Sequence, residues 1–301
     1  MAAIVDDKSP HCIPFILDRL AVHRATSAAP FFLGLNGVQG AGKTTLVSTL
    51  CHTLRSSPYN LPTVVLSIDD LYLTHADQAL LAKSHPENAL IQHRGEPGTH
   101  DLSLGRSVFR SLLHRQPTKI PVYDKAAFDG QGDRAEEQHW PQVNQAGEAP
   151  VEVVIFEGWC VGFRPLSNAD ICRKWQEAKQ LEKSGKYTGR LARHQLEHLI
   201  YINDKLRAYD ALTNMLVAFI HIDAEETHYV YDWRLEQEAA LKNLKGSGMS
   251  AEQVIKFVDG YYPAYELYTA TLRAGIFGAD KNRQLRLVVG KDRKVKQVTL
   301  I

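Results

Sequence analysis

Eight consecutive residues, Gly37-Val38-Gln39-Gly40-Ala41-Gly42-Lys43-Thr44, match the pattern G-x-x-x-x-G-K-[ST] in full, and Thr45 follows. Glycines in such a loop let backbone N–H groups curl around phosphate oxygens, and a helix opening at Thr44 and Thr45 adds the positive end of its dipole. Lys43 then reaches the β- and γ-phosphates, and the Thr44 hydroxyl ligates magnesium. The run Gly37 to Thr45 is therefore a candidate nucleotide cradle. Its context fits, because the apolar segment Phe31 to Leu35 leads into the loop and Leu46 and Val47 continue a helical pattern.

A phosphate cradle alone does not separate a kinase from a GTPase or a motor. Acidic groups also follow two other apolar runs: Asp69-Asp70-Leu71-Tyr72 after Thr63 to Ile68, and Glu157-Gly158-Trp159 after Val151 to Phe156. Ligands of an open parallel sheet bind beyond the carboxyl ends of its strands, which places these acids in the crevice of Lys43 and Thr44. One carboxylate there orients an acceptor hydroxyl and takes its proton, and another holds magnesium or its water. Helix capping by Asp69 and Asp70, and a turn at Glu157, are the competing readings. No Asn-Lys-x-Asp guanine-reading run occurs, and Asp129-Gly130-Gln131-Gly132 follows no suitable strand, so a GTPase is disfavoured.

The elements that position these residues are legible as period and punctuation. Phe31 to Leu35, Thr63 to Ile68, Val151 to Phe156, Leu216 to Ile222 and Leu285 to Val289 are short and almost continuously apolar, as strands covered on both faces are. Helical patterns alternate with them at Thr44 to Leu54, Leu104 to His114, Leu191 to Tyr209 and Thr227 to Lys245. The alternation predicts an α/β fold: a mostly parallel five-stranded sheet with helices on both faces. Phe128 to Pro150 and the Lys/Glu-rich Arg173 to Gly189 read as surface excursions. No repeat or low-complexity tract interrupts the chain, and one domain over residues 1–301 is expected.

Composition narrows the partners. The 301 residues carry 35 Lys+Arg against 34 Asp+Glu, a balance that leaves no clustered basic surplus for nucleic acid or an anionic membrane. No run approaches the roughly 18 apolar residues of a spanning helix, and Met1 to His11 carries Asp6 and Asp7 in place of a basic, apolar leader. Cys12, Cys51, Cys160 and Cys172 are scattered, with no Cys-x-x-Cys pair. A reducing, cytoplasmic setting is expected, with nuclear presence and oligomeric state left open. The histidines show no metal spacing: His194 and His198 belong to the polar face of a helix whose apolar stripe is Leu196, Leu199, Ile202, Leu206 and Tyr209. The aromatic cluster Tyr261 to Tyr268 is either core or a pocket wall, and Lys291 to Lys296 a solvated hairpin or edge.

Four blocks together resemble the uridine kinase, phosphoribulokinase and pantothenate kinase branch of P-loop kinases. They are the cradle, Asp69-Asp70-Leu71-Tyr72, Ile120-Pro121-Val122-Tyr123-Asp124 and Phe156-Glu157-Gly158. The resemblance implies a P-loop NTPase fold with strand order 2-3-1-4-5 and a helical lid. It implies Asp69 as catalytic base and magnesium neighbour, Glu157 as magnesium support, and Tyr123 and Asp124 at the acceptor site. Trp233-Arg234-Leu235, after Ile222-Asp223-Ala224-Glu225, resembles the lid helix, with Arg234 closing over the transferring phosphate and a solvated arginine as the alternative.

From about residue 30 onward the chain more closely resembles the D-glycerate 3-kinase family and its fungal ATP-dependent kinase relatives. The carrying blocks are Ser67 to His75, Arg94-Gly95-Glu96-Pro97-Gly98-Thr99-His100-Asp101, Tyr123-Asp124-Lys125 through Gly130 to Arg134, and Glu157 to Phe163. Leu71 and Ala126 depart from the family's usual aromatic and small hydroxyl residues. The resemblance implies ATP and Mg2+ as cofactors and transfer of the γ-phosphoryl group to a hydroxyl of a small acid, D-glycerate giving 3-phosphoglycerate. Helical insertions are expected at about residues 164–214 and a lid at about 224–260.

Uridine kinases place a histidine and an aromatic surface after Pro-x-Tyr-Asp to hold a base. This chain has Lys125-Ala126-Ala127-Phe128 and then Arg134, and cations suit a carboxylate. Arg94 and Arg134 are the expected carboxylate clamp, with Asp101 and Asp124 orienting a hydroxyl or an arginine. Asp70, Tyr72, Tyr123 and Lys125 complete the candidate acceptor set. The alternatives are a kinase of another small alcohol, of nucleoside or pantothenate type, and a nonenzymatic ATP-binding regulator.

Overall fold

The computed structural model describes residues 6–245 and 248–301. Helix α1 (Ser9–Thr26) leads into β1 (Phe31–Gly37), α2 (Lys43–Arg55) and β2 (Thr63–Ser67). Helices α3 (His75–Ser84) and α4 (Leu102–Leu113) precede a polar stretch that ends in β3 (Val153–Gly158). After α5 (Asn168–Lys183), α6 (Leu196–Leu206) and the short α7 (Asp210–Thr213) comes β4 (Ala218–Ala224). Helices α8 (Tyr229–Lys245) and α9 (Ala251–Ala274) are followed by β5 (Gln284–Val289) and β6 (Val295–Leu300).

The sheet order is β2-β3-β1-β4-β5-β6, with the first five strands parallel and β6 antiparallel to β5. The expected 2-3-1-4-5 order is thus present, but the sheet has six strands, not five. The sixth comes from the tail, where Lys296, Gln297, Val298 and Leu300 are exposed and only Val295 and Thr299 are half-buried, on a sheet edge. That polarity is why its apolar content falls below the pattern of a covered strand. By contrast all residues of β1 and β4 are buried, as strands covered by helices on both faces must be.

Several helices depart from the expectation. The Lys/Glu-rich segment forms α5, with Ile171, Trp175 and Ala178 turned inward at helical spacing and Arg173 bridging Asp170 and Glu177 outside. Ser167 caps it by accepting the Asp170 N–H. The aromatic cluster lies inside α9, where Tyr261, Tyr262, Tyr265, Leu267 and Tyr268 are buried; a Ser250–Gln253 capping box starts that helix. Leu191 to Tyr209 is broken into 3-10 turns around α6, yet Leu199, Ile202 and Leu206 face inward as expected. Phe128 to Pro150 holds a 3-10 turn (Glu137–His139) and two-residue strands: Asp133–Arg134 pairs with Tyr123–Asp124, and Gln142–Val143 with Thr118–Lys119. No helix among the described residues is long and apolar enough to cross a membrane.

β1 lies at the centre, with β3 on one side and β4 on the other. The chain reverses its direction of winding there, so a crevice opens beyond the carboxyl ends of β1 and β3. In register, Leu35 of β1 stands beside Glu157 of β3, which stands beside Ser67 of β2. The loop after β1, the turn after β2 and the end of β3 therefore meet.

Candidate active site

The loop from Gly37 to Gly42 joins β1 directly to α2. Gly40 and Gly42 adopt positive φ of 82° and 94°, conformations that a side chain would strain. Gly40 is also overlain by Trp233, whose Cβ would lie 2.5 Å from any Cβ added there. No side chain caps the N-terminus of α2, and its first turn carries no acid, so its N–H groups remain available to an anion. The Thr44 and Thr45 side chains are exposed.

The lysine of the loop turns back on it: Lys43 Nζ donates to the Gly37 carbonyl at 2.7 Å and the Val38 carbonyl at 3.3 Å. Burial holds its ammonium below the usual lysine range, against the opposing charges of Glu157 and Asp69. Other contacts brace the loop from outside. Tyr265 of α9 donates to Gln39 Oε1 at 2.7 Å, and Arg293, from the turn before β6, donates to the Gly40 carbonyl at 2.8 Å.

Asp69 and Asp70 lie in a 3-10 turn (Ile68–Leu71) that Ser67 caps by accepting the Asp69 N–H at 3.3 Å. Ser67 performs the capping, which leaves both carboxylates for other contacts. Asp69 Oδ2 accepts from Lys125 Nζ at 2.6 Å, while Asp69 Oδ1 is buried without a hydrogen-bond partner among the described residues. Burial disfavours the Asp69 charge, but the Lys125 ammonium bonded to it, helped by Lys43, prevails and holds its pKa below the usual carboxylate range. Asp70 accepts the Tyr123 N–H at 3.1 Å, and its pKa is pushed up to about 6 by burial, with Asp69 and Glu157 adding like-charge repulsion. Glu157 stands half-buried at the end of β3. Lys43, Asp69 and Glu157 act on one another electrostatically, so three elements distant in sequence share one site.

The expected acceptor residues gather around the Tyr123–Asp124 and Asp133–Arg134 hairpin. Arg134 donates to the Tyr72 carbonyl at 3.0 Å and to Asp101 Oδ2 at 3.1 Å, while its Nε is buried without a partner among the described residues. Asp101 also caps α4 through the Leu104 N–H. Arg94 lies over the Tyr123 ring and donates to the carbonyls of Gly130, at 2.8 Å, and Gln131. Asp124 is exposed and accepts the Ala126 N–H, closing its own turn. Tyr72 is buried, stacked on His100 with ring centroids 4.4 Å apart. A cavity of about 400 Å³ lies beside this hairpin, lined by His75, Phe128, Asp133, Arg134 and Trp140.

Arg234 stands apart from this cluster. It donates to Gln237 and Glu238 of its own helix and packs on Phe257, 5.0 Å from the ring centroid. Its neighbour Trp233 is the α8 residue that touches the loop. Sequence reasoning did not single out Trp233, Tyr265, Arg293 or His100 as site residues. Their signal was small: an aromatic or a cation at helical spacing reads as core or surface until the tertiary contact is known.

No protein-family model matches the chain. It is 40% identical to the uncharacterized kinase mug58 of Schizosaccharomyces pombe over 245 residues, 81% of this chain and 82% of that protein. It is 36% identical to the chloroplastic D-glycerate 3-kinase of Arabidopsis thaliana over 287 residues, 92% of this chain but 57% of that longer protein. The solved D-glycerate 3-kinase of Cryptococcus neoformans superposes with a TM-score of 0.87 at 33% identity, covering 98% of this chain and 99% of that one. With this identity maintained over most of its length, the chain belongs to the D-glycerate 3-kinase family and its fungal ATP-dependent kinase relatives.

Proposed function

We propose that this protein transfers the γ-phosphoryl group of ATP to a hydroxyl of D-glycerate, giving 3-phosphoglycerate and ADP. The observation that carries the reading is the meeting of the glycine-rich loop, Asp69 and Glu157 at the ends of three adjacent parallel strands. The glycine-rich loop and the free N-terminus of α2 receive the ATP phosphates in the manner of a P-loop. Lys43 exchanges the Gly37 and Val38 carbonyls for phosphate oxygens, where its charge offsets the charge that develops on transfer. Asp69, kept ionised by Lys125, accepts the proton of the attacking hydroxyl. The hydroxyl oxygen bonds to the γ-phosphorus as the bond from that phosphorus to the β,γ-bridging oxygen breaks, and ADP leaves with the bridging oxygen.

Magnesium suits these residues, because the Thr44 hydroxyl and the Asp69 and Glu157 carboxylates are hard oxygen donors at the ends of adjacent strands. They form no cluster of three or more acidic or imidazole ligands among the described residues, which matches an ion that keeps several waters and phosphate oxygens. Bound there, the ion would neutralise phosphate charge.

We assign Arg134, with Asp101 behind it, and Lys125 to the acceptor side, and read Arg94, Tyr123 and Asp124 as the frame that holds their loop. Residues 224–260 form the lid in this reading, and Arg234 must leave Glu238 to reach the phosphate. The helices of residues 164–214 are insertions in one kinase domain, and the reaction takes place in the cytoplasm. A panel of D-glycerate, glycerol, uridine and pantothenate, assayed for ADP release at matched ATP and magnesium, tests the assignment. Turnover with D-glycerate far above the others is expected. Preference for uridine or pantothenate would replace the substrate, and ATP binding with no turnover on any acceptor would replace the enzyme by a regulator.

A further inference from the structure

Five polar atoms on the acceptor side of the cleft are buried with no hydrogen-bond partner among the described residues: Asp69 Oδ1, both Glu96 carboxyl oxygens, His100 Nε2 and Trp159 Nε1. Glu96 is 1% exposed, Trp159 3% and His100 5%. Buried polar groups are nearly always satisfied, so such a concentration requires an explanation.

These residues are linked through shared neighbours. His100 pairs with Tyr72 as a β-bridge and stacks on its ring, in the turn that begins at Asp69. Trp159 follows Glu157 and Gly158 at the end of β3 and meets Tyr261 edge to face, with centroids 4.9 Å apart. The Tyr261 hydroxyl donates to the Arg94 carbonyl at 3.3 Å, two residues before Glu96, and lies 2.8 Å from where a Cβ on Gly95 would stand. The turn after β2, the Arg94 to Asp101 segment and the end of β3 are thus closed over by α9.

The hydrogen-bonding character of each orphan follows from its neighbours. Tyr209 Oη accepts the Gly98 N–H at 3.1 Å and lies 2.7 Å from His100 Nδ1. Its own proton has one acceptor there, Nδ1, which places the imidazole proton on Nε2. Burial keeps His100 neutral, with a pKa of about 4, and pushes the Glu96 carboxyl well above the usual range, toward its neutral form. Together these groups offer two N–H donors, the Glu96 carboxyl group and one Asp69 carboxylate oxygen. A small acid bearing hydroxyls presents the complement of that set.

We propose that His100, Trp159 and Glu96 recognise the acceptor: His100 Nε2–H and Trp159 Nε1–H donate to its carboxylate, and the Glu96 carboxyl group bonds its non-reacting hydroxyl. Asp69 Oδ1 then faces the reacting hydroxyl. This deepens the proposed D-glycerate kinase reading and rests on it. It adds donors inside the cleft to the acceptor side, where Arg134 bonds the Tyr72 carbonyl and Asp101.

The test uses Trp159→Phe and His100→Phe, which keep ring packing and remove one donor each, together with Glu96→Gln and Glu96→Leu. Steady-state kinetics, thermal melting and direct D-glycerate binding are measured on each. Loss of one donor to a charged group is expected to raise KM and Kd for D-glycerate about 10- to 100-fold, with KM for ATP and the melting temperature unchanged. Glu96→Gln should retain affinity because the amide still donates and accepts, whereas Glu96→Leu should lose it. Unaltered KM and Kd for D-glycerate in both Trp159→Phe and His100→Phe would overturn the pocket while leaving the kinase reading intact. D-glycerate binding that the variants weaken, in a wild type that transfers no phosphate to it, would keep the pocket and overturn the reaction. No binding of D-glycerate to the wild type would overturn both.

Discussion

Asp70 is a carboxylate that the fold holds at a cost, and replacing it by Asn should stabilise the protein at neutral pH. It sits half-buried beside Asp69 and Glu157, and burial first, with the like charges of those two acids adding to it, raises its pKa from the ordinary 3.8 to about 6. The sign follows from linkage. A raised acid pKa means that the folded state binds this proton more tightly than the unfolded chain, so the penalty is absent below the ordinary value. It grows as pH rises through the window and is complete above about pH 6. Each pKa unit is worth about 1.4 kcal/mol, so the ceiling is about 3 kcal/mol, and partial access to water reduces the expected gain to about 1–3 kcal/mol. Asn preserves an acceptor for the Tyr123 N–H, which donates to Asp70 Oδ1 at 3.1 Å in the wild type, and removes only the charge. Denaturant unfolding of both proteins at pH 4 and pH 7.5, without magnesium or nucleotide, measures the difference. The advantage of Asp70→Asn should be small at pH 4 and full at pH 7.5. A difference independent of pH, or a variant less stable at pH 7.5, would refute the argument that clustered acids are held here against their mutual repulsion.

Lys43→Ala should lower kcat by at least about 100-fold with an unchanged far-UV spectrum and melting temperature, because Lys43 bonds only loop carbonyls and acts on phosphate charge. Asp69→Asn should lower kcat about 100- to 10,000-fold with KM for ATP little changed, whereas Glu157→Gln should raise the magnesium concentration needed for half-maximal rate. Identical magnesium titrations for these two variants would show that the roles are not divided. Asp223, 2% exposed and held by Arg273 at 2.8 Å and Arg286 at 2.6 Å, should cost about 3–5 kcal/mol when replaced by Ala. Burial opposes its charge, but Arg273, His221 and Arg286 depress its pKa, so its contribution is present above the ordinary carboxylate pKa and is lost as pH falls below about 4. The gap between wild type and Asp223→Ala in unfolding experiments should therefore close in acid.

The sequence by itself determined the parts whose physics is local. The spacing of Gly37, Gly42, Lys43 and Thr44 defines a phosphate cradle, because left-handed glycines and a lysine one helical position beyond them leave the backbone little choice. Near-continuous apolar runs located five of the six sheet strands to within about two residues, since burial on both faces leaves no room for polar side chains. The sixth strand and α5 were hidden because solvated elements carry their apolar residues singly, and composition masks spacing. Tertiary structure alone decided what each charged side chain touches. Lys125 was read as a cation for the acceptor, but the hairpin carries it onto Asp69, and Arg94 and Arg134 spend their donors on carbonyls and on Asp101. Likewise Trp159, about sixty residues beyond Glu96 and His100 in the chain, is brought toward them only when the turn after β2, the segment before α4 and the end of β3 are closed over by α9. A motif constrains a few consecutive backbone dihedrals, whereas a side chain's partner and its protonation depend on burial and charge supplied by residues a hundred positions away.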